Sequence, residues 1–170
     1  EDLQRICTSN IKQEPGKCTY THMLNKDGGI ETDLTVVCID KNHFRIISSA
    51  ATRERDKFHI NKYLSKDVEL DDVTDDYCVF GIFGPKSRLL MQDLSSDDFS
   101  KENFKFANSK YIEIDGTKIW TQRLSYVGEL GYELYVKTSD SKNIYEKLIE
   151  KGKKYNLSNC GMHALDTMRM

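Results

Sequence analysis

Hydrophobic residues in the first fifty positions fall into three short runs separated by polar turns. The runs cover residues 18–24, 34–39 and 44–48, and the second is rich in β-branched residues. Runs of this length between turn-forming residues are typical of β-strands. We therefore predict an antiparallel meander within residues 1–50, preceded by the end of a helix in residues 1–8.

The rest of the chain mixes helical and extended patterns without regular alternation. Helical spacing of apolar residues predicts four helices: 52–64, a short one that begins at Pro85, 140–155 and one from Gly161 onward. Continuous or alternating apolar runs predict four strands: 77–83, 110–114, 118–124 and 132–136. In the short helix, three leucines are expected to face the core: Leu89, Leu90 and Leu94. The mixture favours an α+β fold with antiparallel sheets and flanking helices, and we predict a ferredoxin-like subdomain in residues 51–160.

Charge and cysteine content narrow the classes of function. With 25 Lys and Arg against 27 Asp and Glu, the net charge is −2, so no nucleic-acid footprint is visible. No apolar run is long enough to span a membrane. The five cysteines are scattered without a C-x-x-C pair, which indicates a reducing compartment such as the cytoplasm. The four histidines show no metal-ligand spacing, so no metal site is predicted.

The two ends of the chain suggest part of a longer polypeptide. The chain opens at Glu1 without a Met, and residues 164–170 read as a helix that stops within its pattern. We therefore expect further segments before and after these residues.

Asp33 is the first candidate for chemistry. The pair Gly28-Gly29 permits positive φ and a sharp chain reversal, and Asp33 stands where the returning strand is predicted to begin. A carboxylate there is fixed by the strand and left open by the loop end, which suits a cleft. Spacing alone leaves a plainer interpretation open, in which Asp33 caps the turn or is solvated.

A second glycine-rich stretch, residues 123–135, carries two further carboxylates. Gly128 and Gly131 are predicted to interrupt a pair of strands, and Glu129 and Glu133 flank the second glycine. Glu133 lies inside an apolar strand, where a carboxylate is costly to bury unless it meets a donor. It is either an edge residue that faces water or a group that binds a ligand edge carrying N–H groups. Three tyrosines lie near these carboxylates in the sequence and would suit a flat ligand: Tyr20, Tyr126 and Tyr132.

The two stretches resemble the folate-binding aminomethyltransferase family, whose founding member is the T-protein of the glycine cleavage system. The first family pattern is matched by Leu24-Asn25, Gly28-Gly29 and Asp33-Leu34, and the second by Tyr126, Gly128-Glu129, Gly131 and Tyr132-Glu133. The stretch Ala164 to Arg169 resembles the family helix with its Asp-x-x-Arg. Within this family, the amino-acid sequence of residues 125–133 is most similar to that of the C-terminal, folate-binding half of dimethylglycine and sarcosine dehydrogenases.

The resemblance implies a fold, a cofactor and partners. The fold would be part of the three-domain aminomethyltransferase architecture, with the C-terminal barrel outside these residues. The cofactor would be tetrahydrofolate and the second reactant a small methylated amine, with no nucleic acid and no membrane. A flavin dehydrogenase domain that binds FAD is expected in the same polypeptide if the dehydrogenase likeness holds.

The resemblance also implies residue roles. Asp33 would be the catalytic carboxylate beside the folate nitrogens, and Glu133 would pair with the pterin edge, with Glu129 as its rival. Three further residues would contact the folate or line its pocket: Tyr126, Tyr20 and Ile47.

The implied activity is that of an aminomethyltransferase-like enzyme. Folate N5 would attack an iminium or aminomethyl group and yield 5,10-methylenetetrahydrofolate. Thr32 and Leu165 stand where the T-protein has Asp and Arg, which favours an N-methyl amine donor over a lipoyl carrier. Two alternatives are kept: a folate-dependent demethylase of another methyl donor, and a non-catalytic folate-binding or scaffold module, whose mark would be loss of the catalytic carboxylate.

Overall fold

Contacts divide the chain into two units in the structure, a computed structural model that describes residues 1–169. The first unit is Glu1–Asp72, and the second begins at Val73. The sequence interpretation placed this division after residue 50. The helix that follows residue 50 belongs to the first unit because its Ile60 packs into that unit's hydrophobic cluster.

The first unit contains the meander. Helix α1 (Asp2–Ile6) precedes the antiparallel strands β1 (Cys18–Leu24), β2 (Ile30–Cys38) and β3 (Phe44–Ser48), in the order β1-β2-β3, and helix α2 (Arg53–Asn61) follows. Strand β2 begins at Ile30 rather than at residue 34, because its pairing with β1 continues to Leu24 through polar residues. The apolar run therefore marked only the buried part of this strand.

Side chains alternate between two faces of this sheet. Met23, Leu34, Val36 and Ile46 contribute to the hydrophobic cluster on one face. The residues between them point to the opposite face, since neighbouring strand residues point in opposite directions. That opposite face carries Asp33.

The second unit contains a four-stranded antiparallel sheet with helices. Its elements are β4 (Tyr77–Phe83), α3 (Ser87–Leu94), β5 (Ser109–Ile114), β6 (Thr117–Gln122), β7 (Gly131–Lys137), α4 (Ser141–Gly152) and α5 (Met162–Met168). The strand order is β4-β7-β6-β5. The predicted α+β class with antiparallel sheets is confirmed.

The order of elements in the second unit differs from the ferredoxin-like plan predicted for residues 51–160. That plan runs βαββαβ, whereas β4 to α4 run βαβββα, with α4 after the last strand. The difference arises because β5, β6 and β7 form a continuous antiparallel meander, and β7 then pairs with β4.

Helix α3 shows which leucines reach the core. Leu90 and Met91 are buried and Leu94 packs against the same cluster, but Leu89 is 55% exposed. The prediction that Leu89 faces the core is wrong. A helix turns by about 100° per residue, so the stripe through Leu90, Met91 and Leu94 leaves Leu89 on the solvent side.

The described residues bear on two questions, membrane-spanning helices and metal ligands. Within residues 1–169, every helix falls short of the length and apolar character needed to cross a membrane. The same residues contain no cluster of three or more His, Cys, Asp or Glu side chains placed to hold a metal ion.

Candidate functional site

The side chain of Asn25 shapes the turn that precedes Asp33. Its Oδ1 accepts hydrogen bonds from the backbone N–H groups of Asp27 (3.0 Å) and Gly29 (2.9 Å). The backbone N–H of Asn25 donates to the Gly29 carbonyl at 2.9 Å. Gly28 has a φ of +81°, in the left-handed region that favours glycine. The Asn and the glycines together fix where β2 begins.

Asp33 lies inside β2, with Ile30 as the first strand residue, so the expectation that it opens the strand is wrong. It pairs with His22 of β1, and it is exposed while its neighbours Thr32 and Leu34 are buried. The Tyr20 hydroxyl donates to Asp33 Oδ2 at 2.9 Å. Among the described residues, Oδ1 of Asp33 accepts no hydrogen bond. Asp33 therefore presents one oxygen that is held and one that is open.

Two other candidates share the open face of the sheet with Asp33. Tyr20 pairs with Thr35 of β2, and Thr35 pairs in turn with Ile47 of β3. Directly paired residues point to the same face, and so do residues two apart on a strand. Tyr20 is 55% exposed, and Ile47 is half-buried. The structure thus brings Asp33, Tyr20 and Ile47 together within the first unit.

Glu133 occupies a central strand of the second unit. Strand β7 is paired on both sides, with Gly81 of β4 and Gln122 of β6 directly beside Glu133. The alternative in which Glu133 is an edge residue is therefore wrong. The reason is the pairing of β4 with β7, which is distant in sequence and leaves no signal in the local pattern.

A triangle of hydrogen bonds holds the Glu133 carboxylate. Gln122 Nε2 donates to Glu133 Oε2 at 2.6 Å, and the Tyr135 hydroxyl donates to the same oxygen at 3.0 Å. Gln122 Nε2 also lies 2.6 Å from the Tyr135 oxygen. Gln122 is only 1% exposed, so the donors are fixed by packing. Among the described residues, no side chain donates to Oε1 of Glu133.

The ring of Phe83 lies over two glycines, Gly81 and Gly131, on the strands that flank or contain Glu133. A Cβ added to Gly81 would stand 2.6 Å from Phe83 Cζ, and one added to Gly131 would stand 2.4 Å from Phe83 Cδ1. Gly131 is thus the first residue of β7 and a point of close approach. Of the two glycines predicted to interrupt the strands, only Gly128, with a φ of +75°, lies in the connection.

Tyr126 and Glu129 lie in the segment between β6 and β7. The Arg169 guanidinium stacks over the Tyr126 ring at 4.2 Å from its centroid, and Arg169 Nη1 donates to the Tyr126 carbonyl at 2.9 Å. Glu129 is exposed. Glu133 shares no hydrogen bond with Tyr126 or Glu129 among the described residues.

Tyr132 is unavailable to a ligand. It is fully buried, and its ring packs edge-on against Phe99 at 5.4 Å between centroids. Because strand residues alternate between faces, Tyr132 points into the core while Glu133 points away from it. The sequence did not point to Gln122 and Tyr135, which bond Glu133, or to Phe83, which strand register places on the same sheet face. Only a correct pairing of β4, β6 and β7 would have revealed them.

Comparison with protein families identifies the family of this chain. The model of the GCVT N-terminal domain matches residues 1–170, the whole chain. The chain belongs to this family. The resemblance read from the Asp33 and Glu133 stretches is thereby confirmed.

Similar proteins with curated names come from both groups that the sequence resembled. The aminomethyltransferase of Bacillus subtilis (strain 168) is 32% identical over 168 residues, which cover 98% of this chain and 46% of that protein. The mitochondrial dimethylglycine dehydrogenase of Rattus norvegicus is 32% identical over 171 residues, which cover 99% of this chain and 20% of that protein. The chain thus spans about half of the first relative and a fifth of the second.

A solved structure shares the fold of this family member. The glycine cleavage system aminomethyltransferase T from Bartonella henselae superposes with a TM-score of 0.77 at 19% identity, covering 96% of this chain and 43% of that one. At this level of identity, the superposition shows the common fold.

Proposed function

We propose that the protein takes part in tetrahydrofolate-dependent one-carbon transfer as the folate-binding part of an aminomethyltransferase-like enzyme. The observation that carries this proposal is the Glu133 carboxylate, held through Oε2 by Gln122 and Tyr135. A carboxylate oxygen has two acceptor sites. Oε1 therefore retains the capacity to accept hydrogen bonds from the N–H groups of a pterin edge.

The face that carries Asp33 supports the chemical step. A pre-positioned carboxylate stabilises positive charge that develops on a reacting amine, and it can relay a proton. Tyr20 orients Asp33 through Oδ2, and Oδ1 is open to the reactants. Bound folate would supply the nitrogen nucleophile that accepts the one-carbon unit; the C–N bond of the donor would break, the demethylated amine would be released, and the unit would leave as 5,10-methylenetetrahydrofolate.

We further propose a small N-methylated amine as the source of the one-carbon unit. Two observations support this proposal: the amino-acid sequence of residues 125–133, and the similarity to a relative named dimethylglycine dehydrogenase. In this proposal, an iminium or aminomethyl group derived from the amine is the donor, and a flavin dehydrogenase domain in the same polypeptide is the partner. The presence of Asp33 counts against the non-catalytic alternative.

Titration calorimetry with tetrahydrofolate, on the full-length polypeptide, tests the role of Glu133. Glu133→Gln is expected to weaken affinity by about tenfold or more, because a hydrogen bond to a charged acceptor is lost. Glu113→Gln, an exposed glutamate of β5, is the matched control. Unchanged affinity in Glu133→Gln would reject the assignment, and a loss in Glu129→Gln alone would transfer it to that residue.

Steady-state formation of methylenetetrahydrofolate tests the role of Asp33. Asp33→Asn is expected to lower kcat by about 100-fold or more, with a smaller change in folate affinity, since the carboxylate acts on the reacting nitrogen. Asp40→Asn, in the exposed turn between β2 and β3, is the control. If Asp33→Asn retains the kcat of the unmodified protein, Asp33 is not catalytic.

A further inference from the structure

A cavity of about 330 Å³ lies in the second unit, beside the segment between β6 and β7. We call it the Arg88 cavity. The side chains that matter in its wall are Arg88 from α3, Lys101 and Phe106 from the loop before β5, and Arg123 and Glu129 from the segment after β6. Its volume is at the lower end of the range for small-ligand sites.

The wall of the Arg88 cavity is positively charged. It carries three cations, Arg88, Lys101 and Arg123, and one carboxylate, Glu129. The protein as a whole has a net charge of −2, so the positive charge of the cavity wall is opposite in sign to the net charge of the chain. Among the described residues, Glu129 makes no ion pair or hydrogen bond with these cations. The positive charge of the wall is therefore not cancelled locally.

Both arginines carry buried donors that lack an acceptor. Nε and Nη2 of Arg88 and Nε of Arg123 are shielded from solvent and meet no hydrogen-bond partner among the described residues. Arg123 is anchored elsewhere, because its Nη1 donates to the Phe104 carbonyl at 2.6 Å. A buried donor without an acceptor is costly, and native structures contain few of them. Two arginines with this property in one wall indicate a missing acceptor.

We propose that the Arg88 cavity binds an oxyanion, a carboxylate or a phosphate. The planar guanidinium group presents paired donors that match the oxygen atoms of either anion. Arg88 supplies the buried donors, Arg123 adds its Nε, and Lys101 adds charge at the exposed side. This site uses neither Asp33 nor Glu133 and shares only Glu129 with the residues considered for folate, so failure of the Glu133 assignment leaves the anion proposal untouched.

Calorimetric titration of the protein at low salt tests the site. One titration uses inorganic phosphate and the other uses glutarate, so the pair distinguishes a phosphate ligand from a carboxylate ligand. We expect one of the two to bind, with affinity that falls as NaCl is added. Arg88→Gln is expected to weaken that binding by about tenfold or more, because charged hydrogen bonds are lost. Arg88→Lys keeps the charge but loses the paired donors of the guanidinium. Its affinity for the anion should therefore lie between that of the unmodified protein and that of Arg88→Gln.

Two further variants sharpen the result. Lys86→Gln removes an exposed cation next to α3 that is not part of the wall, and it should leave affinity within about twofold. Glu129→Gln removes the one carboxylate of the wall and should tighten anion binding by about twofold or more. Binding of neither anion, or equal binding by the unmodified protein and Arg88→Gln, would overturn the proposal. Thermal unfolding of each variant without anion verifies that it is folded.

Discussion

Asp33 and Glu133 are each held through one carboxylate oxygen. Asp33 accepts from the Tyr20 hydroxyl, and Glu133 accepts from Gln122 and Tyr135. A side chain fixed in this way loses little freedom when a ligand engages its second oxygen, which lowers the entropic cost of binding. The hydrogen bonds around a single residue thus distinguish a fully solvated carboxylate from one whose position is fixed.

A buried thiol gives a prediction at the same scale. Burial raises the pKa of the Cys7 thiol from 9.0 to about 11. The thiolate is the form that reacts with alkylating agents, so Cys7 is expected to react slowly at pH 8 in the folded protein. Cys160, which is exposed, should be modified first when iodoacetamide labelling is followed by peptide mass mapping.

The labelling experiment has a clear contrary outcome. Labelling of Cys7 should accelerate as the pH approaches 11, because the thiolate fraction then rises. Equal rates for Cys7 and Cys160 at pH 8 would show that Cys7 is not protected. The same comparison in denaturant should remove the advantage that exposure gives to Cys160.

At the scale of elements, α3 and the turn before β2 show which features local sequence sets and which features packing sets. The helix was predicted by its pattern, but its core stripe runs through Leu90 and not Leu89. The turn was predicted by its glycines, and its geometry depends on Gly28 and the Asn25 side chain. Each case yields a paired substitution.

The two leucines of α3 should differ sharply in their effect on stability. Leu90→Ala removes a side chain that is 2% exposed, and it is expected to lower the free energy of unfolding by about 2–5 kcal/mol. Leu89→Ala, on the exposed side of the same helix, should change it by no more than about 0.5 kcal/mol. Urea unfolding of both variants measures the difference, and similar losses would contradict the orientation of α3.

The turn glycine should also be sensitive to substitution. Gly28→Ala meets no atom within 4 Å but must adopt a φ of +81°, so we expect a loss of about 1–2 kcal/mol in unfolding free energy. Gly161→Ala is the matched control, since it too has open space around it but has a φ of −86°. An equal effect of the two substitutions in urea unfolding would exclude backbone strain as the cause.

At the scale of the whole molecule, acid stability follows from carboxylates in both units. Hydrogen bonds from Ser65 lower the pKa of Asp2 in the first unit. In the second unit, the Ser100 N–H and then Asn103 lower the pKa of Asp98, and Tyr155 and then Lys154 lower that of Asp93. Groups with a lowered pKa bind fewer protons in the folded state than in the unfolded state.

The direction of the pH effect is fixed by these shifts. Their stabilising contribution is complete above the ordinary Asp pKa of 3.8 and is lost as the pH falls through the lower folded-state values. We therefore expect the urea midpoint to decline below about pH 4. Asp98→Asn should flatten part of this decline, whereas Asp71→Asn, in an exposed loop, should not. A midpoint independent of pH in this range would contradict the assignment.

Much of the element pattern could be predicted from local sequence. The predicted limits 18–24, 44–48 and 77–83 agree with β1, β3 and β4 because turn-forming residues bound each run. Predicted helix 140–155 was longer than α4 because its last residues, Lys153–Tyr155, form a 3₁₀ turn that keeps the same apolar spacing. The order of strands was not predictable, because the pairing of β4 with β7 joins residues 48 to 60 positions apart.

The sequence by itself determined the family, the α+β class and the two carboxylates worth testing, because motifs, turn chemistry and hydrophobic period are local properties. Only the tertiary structure decided that Glu133 lies in a central strand and that its carboxylate accepts hydrogen bonds from Gln122 and Tyr135. It also decided that Tyr132 is core and that Arg88, Lys101 and Arg123 share one cavity. Register and strand order set these neighbours, and a change of one residue in register would turn every side chain to the other face.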